Sequence, residues 1–251
     1  MAHAIKQLLP GEQIVYFGDT AHLPYGDKSE ESIRSYSRKI TEFLLGYNSK
    51  VVVIACNSAS ASAYESLKLE FGNSVMLLDV IDPVVSYLKD KTYKKIGVIG
   101  TKRTITSGTY ETKLREACPS GTEIVSLATP LLVPMIEEGF IFDDISNAII
   151  RTYLSDKSLN GIEALILGCT HYPIIKNQIS KIFNFGVDVV DSARIVATKL
   201  REDLESANLL NNTNGHESDR FFISDYTPYF EKIARMFFEG EIYLKKADIW
   251  T

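Results

Sequence analysis

The chain has 251 residues, of which 45% are apolar, and it carries a net charge of −5 with a pI of about 5.5. A chain of this size and composition can bury a substantial core, as one large domain or two smaller ones. Lysine and arginine are scattered rather than gathered on one face, so nucleic acid is not an expected partner. No run approaches the roughly 18 apolar residues of a membrane helix, and no secretory signal is apparent, so we expect a cytoplasmic protein that does not enter membranes.

Short apolar, β-branched runs alternate with helical patterns along the chain. This alternation predicts an α/β fold with largely parallel sheets. The predicted strands cover residues 14–17, 50–55, 75–80, 96–100, 123–127, 163–168 and 187–190. The predicted helices cover 29–46, 58–70, 143–154, 173–184 and 192–206, beginning after cap or turn residues such as Ser29, Asp143 and Asp191 and, in the first case, ending at Gly46. The polar residues 211–219 are predicted to form a surface connection.

Two of the three cysteines occupy the same kind of position in the sequence. Cys56 follows the apolar run VVVIA and precedes NSAS, while Cys169 follows ALILG and precedes THYP. Each therefore lies at the carboxyl end of a predicted strand, where open α/β sheets form their ligand crevices. At the start of a helix, free backbone N–H groups and the helix dipole are expected to lower the pKa of a thiol toward neutrality.

A free cysteine usually acts as a small buried hydrophobe, and either cysteine alone would favour that interpretation. Two cysteines at strand ends, each followed by short polar side chains, favour a shared function instead. Cys118, in the sequence REACPSG, lacks this setting and is interpreted as an incidental residue at a loop or helix end. A metal shared by Cys169 and His171 is poorly supported, because a single C-x-H pattern is not specific. The other histidines stand in polar sequence and are interpreted as solvated: His3, His22 and His216.

Two facing thiols suit the inversion of a stereocentre by proton transfer. A base removes a proton from one face of a carbon, and an acid delivers a proton to the opposite face. A matched thiol and thiolate perform both steps and exchange roles when the reaction runs backwards. A Cys-His hydrolase would instead need one nucleophile, one base and an oxyanion hole, and would leave the second cysteine unused.

Five motifs spread over nearly the whole chain carry a resemblance to a known family. They are YFGDTAHLPYGDKS at 16–29, VIACNSASA at 53–61, IGVIGTKRTI at 96–105, LLVPMIEEG at 131–139 and LGCTHYP at 167–173. Together they resemble the glutamate racemases, isomerases that work without a cofactor or metal. Their product, D-glutamate, is used in bacterial peptidoglycan synthesis, and so in cell wall biogenesis and cell shape.

The resemblance implies roles for particular residues. Cys56 and Cys169 would be the two acid/base thiols, one on each side of the substrate α-carbon. His171 is interpreted either as tuning the neighbouring thiol or as a hydrogen-bonded structural histidine. The residues implied to bind or orient glutamate are Tyr25, Gly26, Asn57, Ser58, Thr170 and His171, with Thr101 and Thr104 lining the same cleft.

The resemblance also implies an architecture of two similar three-layer α/β lobes with the active site in the cleft between them. The first lobe would hold residues 1–81, with residues 191–251 returning to it, and the second lobe would hold residues 82–190. Closing the lobes would exclude water and bring both sulfurs into reach of the substrate. The assembly is open from sequence alone, with a homodimer as the default expectation because two-fold pairs dominate soluble oligomers.

One feature of the family has no counterpart in this sequence. Family members begin with a strand that runs into an Asp-Ser-Gly turn, whose aspartate and serine contact the substrate, whereas this sequence starts at MAHAIKQLL. For the chain as it stands we expect weak or absent racemisation, since mispositioned catalytic groups cost orders of magnitude in rate. The alternatives are a catalytically impaired ligand-binding or regulatory homologue, a racemase for aspartate or another amino acid, and a related decarboxylase.

Overall fold

The computed structural model describes residues 1–211, 218–226 and 242–250. Strands and helices alternate along most of this part of the chain. The strands are β1 (Val15–Gly18), β2 (Val51–Val53), β3 (Met76–Leu78), β4 (Lys95–Gly100), β5 (Glu123–Ala128), β6 (Ala164–Gly168), β7 (Asp188–Val190), β8 (Arg220–Ile223) and β9 (Leu244–Lys246). The helices are α1 (Ala2–Leu8), α2 (Glu30–Leu45), α3 (Asn57–Phe71), α4 (Asp82–Leu88), α5 (Lys102–Thr106), α6 (Thr109–Ala117), α7 (Leu132–Glu137), α8 (Asp144–Leu154), α9 (Lys176–Ile182) and α10 (Ser192–Ser206).

Each strand predicted from the sequence is present, but one predicted helix is different. Residues 173–184 do not form a continuous α-helix: a 3-10 turn over Tyr172–Ile175 precedes α9. The amides of Tyr172 and Ile174 bond to the carbonyls of Cys169 and His171, three residues back, which is the tighter 3-10 pattern. Helices α4 to α7 were not predicted, because five to nine residues show too little periodicity to be recognised. Of the predicted connection 211–219, residues 212–217 lie outside the described part of the chain.

The ends of the longer helices follow the predicted capping residues. The Ser29 side chain accepts the backbone N–H of Ser32 at the start of α2, and Gly46 ends that helix. Asp143 forms a capping box with Ser146 at the start of α8, and Asp191 caps α10. No helix in the described ranges is both long and apolar enough to cross a bilayer.

The strand pairs are parallel, which confirms the predicted α/β fold. One sheet has the order β5-β4-β6-β7, a second pairs β2 with β3, and a third has the order β1-β8-β9. The carboxyl ends of parallel strands lie on the same edge of their sheet. Loops that leave these edges therefore carry neighbouring residues even when the residues are distant in sequence.

Side-chain alternation along β6 shows how the four-stranded sheet is buried on both faces. Leu165 and Leu167 point into a cluster formed with α7, α8 and α9, while Ala164 and Ile166 point into a cluster formed with α4 and α6. A parallel strand covered by helices on both faces reads as a continuous apolar run, which is why ALILG in the sequence resembles a strand. Helices therefore form a layer on each side of this sheet.

The β2–β3 sheet is also covered on both faces. Leu78 and Val80 pack with α1 and α10 through Leu9, Val196 and Leu200. Ile54 and the partly buried Leu77 pack with α2 and α3 in a separate cluster that includes Ile33, Ala63 and Leu67. Helix α10 thus packs on the strands near the start of the chain, although it follows β7 of the other sheet.

Candidate active site

The carboxyl edges of two sheets face one another through short polar side chains. Cys56 and Ser58 come shortly after β2, Thr101 directly after β4, and Cys169 directly after β6. The Ser58 hydroxyl oxygen lies 2.8 Å from the Thr101 hydroxyl oxygen and 3.2 Å from that of Thr104. These contacts join the start of α3 to the start of α5 and thereby bring the two strand-end regions together.

Cys56 is the N-cap residue of α3 and is partly buried against apolar groups. Its side chain packs against the cluster that contains Ile54 and Ala59. Burial raises the pKa of the Cys56 thiol to about 11, although hydrogen bonds from the backbone of Ala59 and Ser58 act in the opposite direction. The expected lowering of the pKa is therefore wrong for Cys56, because the lost hydration outweighs the amides at the helix start.

Cys169 has a charged partner that Cys56 lacks. The Cys169 sulfur lies 3.8 Å from Nδ1 of His171, and Nε2 of the same ring lies 3.2 Å from Oε1 of Glu137. Burial lowers the pKa of His171, but the hydrogen bonds and charges of Cys169 and Glu137 outweigh that effect and raise it to about 10. The protonated form of His171 is thus favoured by a sulfur on one side and a carboxylate on the other.

Contrary to the sequence prediction, Cys169 does not stand at the start of an α-helix. The residues after it form the 3-10 turn Tyr172–Ile175, and α9 begins only at Lys176. The charge that can balance a Cys169 thiolate is therefore the His171 side chain rather than the positive end of an α-helix dipole.

The charge of one thiol influences the other. A charge on Cys169 is among the causes that raise the pKa of Cys56. The buried phenol of Tyr110 also has a raised pKa, caused first by burial and then by the charges of Asp79 and Cys169. Cys56 and Cys169 therefore belong to one electrostatic environment, although they follow strands of different sheets.

The loop that carries Tyr25 and Gly26 is fastened by a buried carboxylate. Oδ2 of Asp19 accepts a hydrogen bond of 2.7 Å from the Tyr25 hydroxyl, and Oδ1 accepts one of 2.8 Å from Ser224. A Cβ atom on Gly26 would lie 2.8 Å from Cβ of Thr101, a distance that real Cβ atoms essentially never show. Gly26 therefore allows this loop to approach the Thr101 turn closely.

His22 is not the solvated histidine that its sequence context predicts. Its Nδ1 lies 2.9 Å from the Asp19 carboxylate, and its ring stacks on Tyr36 with centroids 4.0 Å apart. The Trp250 ring meets it edge-on at 4.5 Å, so the histidine is enclosed by groups distant in sequence. His216 lies outside the described residues, and Cys118 caps the end of α6 as predicted.

The remaining predicted site residues adjoin the two thiols. Asn57 is the first residue of α3 and is 2% exposed, with its Oδ1 accepting a 2.7 Å hydrogen bond from the Tyr110 hydroxyl. Thr170 is half-buried between Cys169 and His171. Every residue predicted to bind or orient a substrate thus lies on one of the loops or helix starts around Cys56, Thr101 and Cys169.

Sequence reasoning missed three residues of this region. Glu137, Asp19 and Tyr110 contact His171, Tyr25 and Asn57 respectively. Glu137 and Asp19 stand inside the motifs LLVPMIEEG and YFGDTAHLPYGDKS, so an ionisable residue within a recognised motif was the available signal. Tyr110 follows the motif at 96–105 and has no local signal, because its role depends on a contact with α3.

A surface groove of about 700 Å³ lies elsewhere on the molecule. It is lined by residues at the amino ends of β4, β6 and β7, including Tyr93, Glu163 and Asp188. These strands carry Thr101 and Cys169 at their opposite ends, so the groove is separate from the thiol region.

Comparison with known proteins identifies a family. The sequence model of the Asp/Glu/Hydantoin racemase family matches residues 1–200. A glutamate racemase from Chlorobaculum parvum is 36% identical over 240 residues, covering 95% of this chain and 88% of the relative. A glutamate racemase from Geobacter metallireducens is 38% identical over 239 residues, covering 95% of this chain and 87% of the relative.

Solved structures show the same similarity in three dimensions. The crystal structure of glutamate racemase from Francisella tularensis in complex with D-glutamate has a TM-score of 0.92 at 34% sequence identity. The match covers 99% of this chain and 92% of that one, so it extends over the sheets and the loops that carry both thiols.

Proposed function

Because the chain belongs to the Asp/Glu/Hydantoin racemase family and is an amino-acid racemase, we propose that it interconverts L- and D-glutamate through Cys56 and Cys169. The observation that carries the proposal is the contact between the Ser58 and Thr101 hydroxyl groups, which joins the turn after Cys56 to the edge of the other sheet, where Cys169 stands. Opposed thiols are what proton transfer at two faces of one carbon requires. The choice of glutamate rests on the names of the relatives and on the D-glutamate complex of a similar structure.

In the proposed reaction the thiolate of one cysteine takes the α-proton of glutamate, and the electron pair of the broken C–H bond remains on the α-carbon. The thiol of the other cysteine gives its proton to the opposite face and becomes a thiolate. One proton leaves the substrate and one enters it, so the substrate changes only in configuration. Reverse turnover, or exchange of the two thiols with solvent, restores the starting state. The steps use only side chains of this chain and call for no cofactor or metal.

The imidazolium of His171 has a defined part in this scheme. When Cys169 carries a negative charge, the positive ring 3.8 Å from the sulfur balances it, and Glu137 holds the ring from its other nitrogen. Cys56, with a pKa of about 11, is a thiol at neutral pH and is ready to donate a proton. Cys56 is thus suited to the donor role, and the His171 ring can balance the charge that Cys169 carries as an acceptor.

Short polar groups around the thiols suit a substrate with two carboxylates and an ammonium group. Hydroxyl and amide donors come from Ser58, Thr101, Thr104, Thr170 and Asn57, and the loop at Tyr25 and Gly26 closes one side. We propose that residues 1–81 with 191–251 and residues 82–190 form two lobes around this site. Closing them over glutamate would exclude water from the carbanion.

The proposed biological role is the supply of D-glutamate for peptidoglycan, by a cytoplasmic enzyme that requires neither nucleic acid nor a membrane. We further propose a homodimer as the working assembly. These statements extend the amino-acid racemase activity to a pathway, a location and an oligomeric state.

Circular dichroism of glutamate incubated with the protein tests the activity. Pure L-glutamate and pure D-glutamate should both lose their optical signal and converge on the racemate, slowly if the activity is as weak as the sequence predicts for the chain as it stands. An unchanged signal at high protein concentration would reject racemisation. Glutamate binding by calorimetry without turnover would then favour an impaired ligand-binding homologue, while turnover of aspartate alone would favour a different substrate.

Substitution of each thiol tests the mechanism. Cys56→Ser and Cys169→Ser should each lower racemisation by at least about a hundredfold, because a serine hydroxyl is a poor acid/base group at neutral pH. Cys118→Ser is the matched control, since that thiol caps α6 away from the site, and it should retain activity. In D₂O the wild-type product should carry deuterium at the α-carbon. Wild-type turnover in either serine variant, or product without deuterium, would exclude the two-thiol mechanism.

A further inference from the structure

Tyr110 is a buried residue that touches the neighbours of both thiols. It lies in the first turn of α6, is 2% exposed, and has its ring in the apolar cluster that includes Val98 and Ile166. Such a position would accept phenylalanine on packing grounds alone. A buried hydroxyl is costly unless it is hydrogen-bonded, so the phenol oxygen needs a specific explanation.

The hydroxyl is used on the Cys56 side. It donates a 2.7 Å hydrogen bond to Oδ1 of Asn57, the residue after Cys56. Burial raises the pKa of Tyr110 far above the usual range, so the phenol stays protonated and remains a donor. The bond fixes the amide with its oxygen toward Tyr110, and Nδ2 of Asn57 is buried without a hydrogen-bond partner among the described residues.

The ring is used on the Cys169 side. A Cβ atom placed on Gly168 would lie 3.5 Å from Cε2 of Tyr110, so the ring backs the backbone of the residue that precedes Cys169. The charge of Cys169 also contributes to the raised pKa of the phenol. One side chain therefore bonds to the residue after Cys56 and occupies the space beside the residue before Cys169, which follow strands of different sheets.

The start of α6 is built to hold Tyr110 in this place. Gly108 has φ of +68°, a left-handed conformation that favours glycine, and it sets the angle between α5 and α6. Ser107 accepts the backbone N–H of Thr109 at 3.2 Å, and the Thr109 hydroxyl lies 3.5 Å from the carbonyl oxygen of Ala61 on α3. The turn before Tyr110 is thus anchored to the helix that Cys56 caps.

We propose that Tyr110 is a positioning residue that sets the separation of the two thiol-bearing turns, its hydroxyl holding Asn57 beside Cys56 and its ring backing Gly168 beside Cys169. Fixing the Asn57 amide also leaves Nδ2 as a donor for a carboxylate of the substrate. This inference rests on the proposed racemisation, because the separation of the sulfurs matters only if both exchange protons with one carbon.

Tyr110→Phe removes the hydroxyl and keeps the ring. We expect kcat/KM to fall about tenfold in both directions, the size of one lost hydrogen bond in a site that depends on alignment. Tyr93→Phe is the matched control. Tyr93 precedes β4, and its hydroxyl donates a hydrogen bond of the same 2.7 Å length to Asp188, so the Tyr93→Phe variant should keep wild-type kcat/KM. If Tyr110 acts through Asn57, adding Tyr110→Phe to Asn57→Ala should change kcat/KM by less than about twofold.

Alkylation of the thiols separates positioning from a general structural role. Tyr110→Phe should speed the labelling of Cys56 by iodoacetamide and leave the labelling of Cys118 and the thermal midpoint nearly unchanged. Faster labelling of Cys118 together with a lower midpoint would show loosened packing and overturn the proposal. Wild-type kcat/KM in Tyr110→Phe, or an additive effect in the Asn57→Ala background, would also overturn it.

The labelling also distinguishes this inference from the proposed function. If the wild-type protein does not racemise glutamate, the proposed function is rejected, and kcat/KM values can no longer be compared between the variants. The labelling rates then decide alone: unchanged Cys56 labelling in Tyr110→Phe rejects the coupling of Tyr110 to the Cys56 turn, and faster labelling retains it.

Discussion

Cys56 and Cys169 differ in what surrounds each sulfur. Burial dominates at Cys56 and raises its pKa to about 11, while Cys169 has the charged His171 ring at 3.8 Å. The sequence suggested two near-equivalent thiols on near-equivalent halves, but His171 lies beside Cys169, and no such partner of Cys56 is seen among the described residues. A racemase needs one donor and one acceptor at any moment, so unequal surroundings can assign the resting proton to one side.

Glu137→Gln tests the charge of His171. Glu137 and Cys169 together raise the pKa of His171 to about 10, so removing the carboxylate should lower that pKa. The ring would then lose its proton at a lower pH, and the high-pH limb of the kcat/KM profile should move to lower pH. The loss of activity should grow with pH and be greatest at the alkaline end of the profile.

Glu138→Gln is the control for this prediction. Glu138 is the exposed neighbour of Glu137, so the Glu138→Gln substitution removes the same charge from the adjacent position and keeps the contact between Glu137 and His171. A pH profile of Glu137→Gln that overlies those of the wild type and Glu138→Gln would contradict the assignment.

Helix α4 begins beside a buried carboxyl group. Asp79 follows β3, is 2% exposed, and accepts the backbone N–H groups of Ile81 and Asp82 as the helix starts. Burial, followed by the charge of Asp82, raises the pKa of Asp79 to about 6, although the two amides lower it. The Asp79 carboxylate thus stabilises the start of α4 through two hydrogen bonds, but its negative charge is destabilised by burial and by the nearby charge of Asp82.

Asp79→Asn tests that cost through the pH dependence of stability. A carboxyl with a raised folded-state pKa binds more protons folded than unfolded between about pH 4 and 6, so its contribution to stability falls as pH rises through this window. The asparagine variant cannot titrate and should lack this decline. Relative to the wild type, its free energy of unfolding should rise by about 2 kcal/mol between pH 4 and pH 7. Urea unfolding at the two pH values measures this, and parallel curves would refute it.

At the scale of the whole molecule, the central feature is that the carboxyl edges of two sheets meet. The contacts from Ser58 to Thr101, from Tyr110 to Asn57 and from Gly26 to Thr101 all cross between residues that follow strands of different sheets. Each contact joins a loop or helix start rather than a sheet core. Relative movement of the two regions would therefore change the site while leaving both cores intact.

A short bis-alkylating reagent tests this arrangement directly. Dibromobimane should bridge Cys56 and Cys169 within one molecule in a Cys118→Ser background, giving a fluorescent product and a peptide cross-link by mass spectrometry. Saturating D-glutamate should slow the reaction by occupying the space between the sulfurs. Labelling of either thiol alone, without the cross-link, would contradict the shared site.

Local sequence was enough to predict β1 to β7, most of the longer helices and the strand-end location of both thiols, but α1, β8 and β9 were not predicted. Runs such as VVVIA and ALILG are continuously apolar, as in strands covered by helices on both faces, and their short length between helical patterns favours parallel strands. Ser29, Asp143 and Asp191 marked helix starts because capping depends on neighbouring residues. The short helices α4 to α7 were missed, since they are stabilised by packing rather than by their own pattern.

What the sequence determined by itself was most of the strands and longer helices and the chemistry available at their ends, because both depend on residues close together in the chain. Tertiary structure alone decided that Glu137 meets His171, that Tyr110 meets Asn57, and that burial reverses the expected pKa of Cys56. Those properties depend on side chains from separate elements and on how much water the folded protein excludes. No local pattern records either quantity, which is why the site's residues could be named from sequence but their protonation states could not.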